Sequence, residues 1–291
     1  MSQLDTATGC LSTDEAEFDL ARQIQSTFVP EKCYGWPGTR IAARRIAGGG
    51  LGGDFHDVIR GLDEQYTLIV GTITGPGLFA ALGKAVLSGA ARKFGPISRS
   101  PRVLMDQLNR LLGRINANLR DQCVRCSVFI GLVDRARGIL DYSSAGCCRA
   151  LVWSREGELY DLQSTGAMLG GSVNLDCGSE RLELTSLRRL VIYTDGLTTA
   201  RSISGQPLGM ARGRRLLTDT VRLPADKQVE VVLQGLRNHV GPDRVLTDDV
   251  TVFLTEFMEG VTAPGADSMR TWLRSYDRAG GTVPDSSVFL G

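Results

Sequence analysis

The sequence predicts an α+β fold built largely from antiparallel sheets, on three observations. Short apolar stretches end in glycine, threonine or aspartate, as in TRIAARRIA (39–47), QYTLIVGTITG (65–75) and RRLVIYTDG (188–196); this is the pattern of strands. Strand-rich stretches are separated by pairs of helical patterns, which suits an α+β arrangement. Hydrophobic residues make up 42% of the chain and charged residues 22%, enough apolar material for a globular core.

The elements follow in order. Ser12 and Glu15 have capping-box spacing, and Leu20, Ile24 and Phe28 recur at intervals of four before Pro30, which predicts an amphipathic helix over 13–29. Packing on its own domain is the expected use of that helix, and a dimer seam is the alternative. Extended runs come next: TRIAARRIA, the glycine-rich GGGLGGDFHDVIR (48–60), and QYTLIVGTITG, closed by Gly75, Pro76 and Gly77. The small residues of LFAALGKAVLSGAARKF (78–94) suit a helix lying close on a sheet. Ser100 and Pro101 form an N-cap and first-turn pair, and the helix they open places Leu104, Leu108, Leu111, Ile115 and Leu119 on one face. CSVFIGLVD (126–134) and GILDYSSAG (138–146) flank a turn at Arg135–Arg137, with RALVW (149–153) and RLELTS (181–186) as further strands. A helix near 225–240 carries Val229, Val232, Leu233, Leu236 and Val240, and DDVTVFLTEF (248–257) is the last strand. Three regions result: a lead-in over 1–30, one large domain over 31–257, and a tail over 258–291 with a short helix near 269–276 and Trp272 as a staple.

A net charge of +1 leaves no electrostatic footprint for nucleic acid. No apolar stretch approaches the roughly 20 residues that span a bilayer, and residues 1–19 lack a secretory leader. A cytoplasmic protein, with neither membrane nor nucleic-acid partners, is expected. Its 7 cysteines are then reduced.

The chemistry lies in aspartates at strand ends. Asp54 sits in Gly52-Gly53-Asp54-Phe55-His56-Asp57, Asp195 ends the strand RRLVIYT, and Asp248 and Asp249 begin the last strand. Carboxylates gathered there suit hard cations such as Mg²⁺ or Mn²⁺. His56 shares a strand face with Asp54 and is expected to line the pocket, whereas Asp57 points the other way. Arg44 and Arg45 could meet phosphate, although a solvated strand face is the favoured reading, as it is for Arg212, Arg214 and Arg215.

Taken together, ARQIQSTFVP, LGGDFHD, GPGLFAAL, SAG (144–146), MLGG (168–171), YTDGLTTA and DDVTVFL resemble the PPM-type metal-dependent serine/threonine phosphatases, in their bacterial sporulation and stress-regulating branch (SpoIIE-like). The resemblance covers about residues 20–256. It implies an α-β-β-α sandwich of two antiparallel sheets flanked by helices. It also implies hydrolysis of phosphoserine or phosphothreonine on a signalling protein, such as a phosphorylated anti-anti-sigma factor. One or two Mn²⁺ or Mg²⁺ ions would be held by Asp54, Asp195 and Asp248, with Asp249 as the alternative register. Gly53, His56, Ile73 and Gly196 would surround the pocket.

Thr72 breaks this pattern, because it stands where the family has a metal-bridging aspartate. A neutral hydroxyl is a poor substitute between two dications. Cys147, where many members carry histidine, and Pro76 are further departures. Weakened catalysis, or a pseudophosphatase that binds phosphoprotein without turnover, follows as the pair of readings. A third uses Cys123, Cys126, Cys147 and Cys148 as a zinc or redox site; small buried hydrophobes on strands are the plainer alternative.

Overall fold

The computed structural model describes residues 13–27, 34–36, 38–48, 50–62, 64–75, 77–119, 123–146, 148–172 and 174–258. Ser12, Phe28, Pro30, Pro76, Cys147 and the expected tail beyond Met258, with Trp272, lie outside the described residues. In chain order the elements are α1 Thr13–Thr27, β1 Tyr34–Trp36, β2 Thr39–Ile46, β3 Asp54–Arg60, β4 Gln65–Thr74, α2 Gly77–Phe94 and α3 Pro101–Asn116. Then come β5 Arg125–Asp134, β6 Ile139–Ala145, β7 Arg149–Ser154, β8 Leu159–Leu162, β9 Glu180–Glu183 and β10 Leu187–Tyr193. The short α4 Gly196–Thr199, α5 Gly209–Asp219, α6 Ala225–Val240 and β11 Val250–Phe257 complete the fold.

The strands form two sheets, ordered β1-β2-β11-β10-β7-β8 and β3-β4-β5-β6-β9. The paired strands within each are antiparallel. Alternation along β4 explains how they stack, since successive side chains point to opposite faces. Leu68 and Val70 join Ile41, Ala43, Phe129, Ile192 and Phe253 between the sheets. Ile69 and Ile73 face outward and meet Leu87 and Ala91 of α2 and Leu104, Leu108 and Leu112 of α3. On the other side Val191, Val252 and Leu254 meet Leu217 of α5 and Val229, Val232 and Leu236 of α6. Both sheets are therefore covered on both faces, which is why their strands read as nearly continuous apolar runs. The architecture is an α-β-β-α sandwich.

Helix α1 departs from expectation. Leu20 and Ile24 stay 57% and 52% exposed, and Phe18 is 45% exposed. The outer faces of the two sheets are already covered, one by α2 and α3 and the other by α5 and α6. Helix α1 is tied instead by the buried Gln25, whose Nε2 donates to the Gly52 carbonyl at 2.7 Å.

Candidate active site

The antiparallel registers bring the acidic strand ends to one end of the sandwich. Asp54, opening β3, pairs with Thr72 near the end of β4. Tyr193, ending β10, pairs with Val252 near the start of β11. Asp195 therefore lies just past one of these strand ends, and Asp248 and Asp249 just before another.

There the carboxylates divide into an inner and an outer pair. Asp54 is 1% exposed and Asp249 2%. Oδ2 of Asp54 accepts the hydroxyls of Thr194 and Thr251, each at 2.7 Å, and Thr72 stands opposite Asp54 across the β3–β4 pair. Oδ1 of Asp249 accepts the Gly48 N–H at 2.8 Å; its Oδ2 accepts the Asp54 N–H and Arg45 Nε–H, both at 3.1 Å. Burial, with Asp249 nearby, pushes the Asp54 carboxyl up to about 7 against the pull of the threonine hydroxyls around it.

Two glycines permit this inner packing. A Cβ on Gly52 would fall 1.7 Å from Asp249 Oδ2, and one on Gly196 would fall 1.9 Å from the Asp249 carbonyl oxygen. Neither position can carry a side chain without moving the carboxylate or the backbone that holds it.

Lys84 of α2 belongs to the same neighbourhood and was not singled out from the sequence. It is fully buried, and its Nζ has no hydrogen-bond partner. Burial and the Arg45 charge push its amine down to about 7, while Asp249 and Asp54 pull the other way. A signal for it was present: Ala80, Lys84, Leu87 and Ala91 are buried along α2, at the spacing of one helix face.

The outer pair is different. Asp248 is exposed and Asp195 half-buried. Asp248 Oδ1 accepts the Asp249 N–H at 2.8 Å. Partial burial, followed by the charges of Asp195 and Asp249, raises its carboxyl above the usual range. The Asp195 carbonyl, rather than its carboxylate, accepts the N–H groups of Thr198 and Thr199 at 2.8 and 2.9 Å as α4 begins. A surface cleft adjoins the pair, lined by Gly196, Thr199, Arg201, Ser202, Arg244 and Asp248. Arg201 and Arg244 are braced there by bonds to the carbonyls of Gly205 (2.8 Å) and Ser202 (3.0 Å).

The remaining expected site residues are placed as follows. Gly196 lines the cleft. Gly53 accepts the Ile73 N–H at 3.1 Å. The Ile73 side chain lies in the core under α2, so Ile73 meets the site only through its backbone. His56 is sealed between the sheets, its ring centroid 5.8 Å from that of Phe253, because β3 carries the Asp54 face inward rather than toward the cleft. Asp57 points away from Asp54 and pairs with Arg92 of α2 at 2.6 Å. Arg45 is not on a solvated face; its side chain is 12% exposed and held by Asp249. Arg214 and Arg215 do form surface pairs, with Asp161 and Asp219.

The cysteine site is not supported. Among the described residues no three His, Cys, Asp or Glu side chains are grouped to hold a metal. The described cysteines are free thiols. Cys126 lies in the core beneath the α2–α3 layer, Cys148 lies between the sheets, and Cys123 is exposed. Strand alternation divides them.

A divalent ion meets two different donor sets here. The inner donors do not fit one: Thr72 is neutral, the Asp249 oxygens are taken, and two basic side chains lie beside the carboxylates. The outer pair fits a single ion, because Mg²⁺ commonly keeps several waters and takes one or two carboxylates.

Residues 62–258 match the family model described as "Stage II sporulation protein E (SpoIIE)". Protein IcfG of Synechocystis sp. is 25% identical over 260 residues, which span 81% of this chain and 40% of that protein. Phosphoserine phosphatase RsbP of Bacillus subtilis is 28% identical over 181 residues, 62% of this chain and 45% of that protein. The chain thus spans less than half the length of either relative. Among solved structures, the SiaA-PP2C domain of Pseudomonas aeruginosa superposes with a TM-score of 0.68 at 21% identity, covering 84% of this chain and 97% of that domain. With the family model matching from the end of β3 to the end of β11, the chain belongs to the SpoIIE family, and it shares its fold with a PP2C domain.

Proposed function

We propose that this chain is a protein phosphatase of bacterial signalling, acting slowly on phosphoserine or phosphothreonine with one Mn²⁺ or Mg²⁺ held by Asp195 and Asp248. The observation that supports this reading is the division of the carboxylates, with Asp54 and Asp249 sealed inside and Asp195 and Asp248 less buried, Asp248 on the wall of the cleft. When bound, a divalent ion polarises phosphoryl oxygens and lowers the pKa of its water. The chain's own contribution is positional. Asp195 and Asp248 supply the oxygen ligands, and Arg201 and Arg244 flank the cleft, where guanidinium groups suit phosphoryl oxygens. Asp54 and Asp249 tie β3, β10 and β11 together beneath them. Thr72, opposite Asp54 on β4, supplies no charge for a second ion; hence the slow turnover.

The substrate in this reading is a phosphorylated regulator such as an anti-anti-sigma factor. Similarity to a protein named as a phosphoserine phosphatase supports it. The working domain is residues 31–257. The exposed Phe18, Leu20 and Ile24 of α1 support pairing with a second copy of the chain. The absence of a membrane-length apolar helix among the described residues agrees with cytoplasmic work.

Phosphate release from a phosphoserine regulator, measured with Mn²⁺ and with EDTA, tests the proposal. Slow release with Mn²⁺ and none with EDTA is the expected result; release that ignores EDTA contradicts it. The second reading, a pseudophosphatase, is favoured by Thr72 and the self-contained inner pair. Tight binding of the phosphoprotein with no release in either condition selects it.

A further inference from the structure

The inner half of the site holds four charged side chains: Asp54, Asp249, Arg45 and Lys84. Asp249 is bonded to Arg45. Lys84 is buried in the same cluster, where Arg45 repels its ammonium and, after it, Asp249 and Asp54 attract it; its Nζ hydrogen-bonds to neither carboxylate. A fully buried ammonium without a partner is costly, and proteins retain one only beside compensating charge. The stoichiometry here is even. Asp249 balances Arg45, and Asp54 balances Lys84 whether that pair is ionic or has passed its proton to the carboxylate. The quartet therefore carries no net charge in either form, and an entering dication finds no net negative charge to attract it.

We infer that Lys84 is a built-in replacement for a bound cation: its side chain from α2 neutralises Asp54 and Asp249 and keeps a divalent ion out of the inner half of the site. The inference rests on the inner and outer division used above, but not on turnover. It also makes Thr72 intelligible. A third carboxylate beside Asp54 would leave the quartet one charge in excess, whereas a neutral hydroxyl preserves the balance.

The test is a calorimetric titration with Mn²⁺, together with thermal melts, on the wild type, Thr72→Asp, Lys84→Met and the double variant. Thr72→Asp alone is expected to bind no more Mn²⁺ than the wild type. The double variant is expected to take up one additional ion, at least about tenfold more tightly than any extra binding to Thr72→Asp. Lys84→Met is expected to melt below the wild type and to regain part of the difference with Mn²⁺. An additional ion bound by Thr72→Asp with Lys84 still in place overturns the inference, as does Lys84→Met melting at the wild-type temperature. If Lys84→Met does not fold, Thr72→Asp alone still decides the matter. The readouts are ion uptake and melting, so an inactive chain leaves the result interpretable.

Discussion

Asp249→Ala is expected to lower stability by about 3–5 kcal/mol, the range for removing one partner of a buried ion pair. Three donors lose their acceptor together: the N–H groups of Gly48 and Asp54 and the Arg45 guanidinium. Arg45 cannot turn to water without leaving β2, since its side chain is 12% exposed. Relief of the repulsion between Asp249 and Asp54 offsets only part of this loss. Asp249→Asn retains one acceptor oxygen without the charge and should fall between the two. The midpoint of urea unfolding measures the effect; a loss below about 1 kcal/mol would mean that this carboxylate does not hold the strand ends together.

Asp195→Asn should do the opposite, leaving stability within about 0.5 kcal/mol of the wild type while lowering Mn²⁺-dependent phosphate release at least about 100-fold. The structural bonds at this position come from the main-chain carbonyl, and the side chain makes no cap bond to α4. Replacing the carboxylate therefore removes an ion ligand and little else. Melting curves and initial rates from one preparation separate the two effects. A rate loss accompanied by an equally large fall in melting temperature would assign Asp195 to the fold.

Much of this was legible in the sequence because it depends on local patterning. The apolar runs of β4, β10 and β11 and the face formed by Leu104 and Leu108 on α3 specify an α+β fold with helices laid on sheets. Aspartates beside glycines at strand ends mark where chemistry gathers. What the sequence does not carry is the partition between neighbours. Asp248 and Asp249 are adjacent, yet one is exposed and the other is 2% exposed, because the chain bends just before β11 and Asp249 is drawn inward by the N–H groups of Gly48 and Asp54. The hydroxyls that engage Asp54 come from Thr194 and Thr251, 140 and 197 residues away, and no local spacing announces them. Arg45 reads as a surface strand residue until β11 lies beside it, pairing it with Thr251. The α1 face misleads for a related reason: its periodicity states that Leu20 and Ile24 share a side, but not that the sheets are already covered. Lys84 was the legible feature left unread, a lone cation on the apolar face of α2.

The most direct measurement is the number of Mn²⁺ ions bound by the wild-type chain, by calorimetric titration near neutral pH. One ion per chain is predicted, lost in Asp195→Asn, because the outer carboxylates are the less buried pair and have no basic side chain bonded to them among the described residues. Two ions per chain bound by the wild type would contradict both the neutralised inner quartet and the one-ion site.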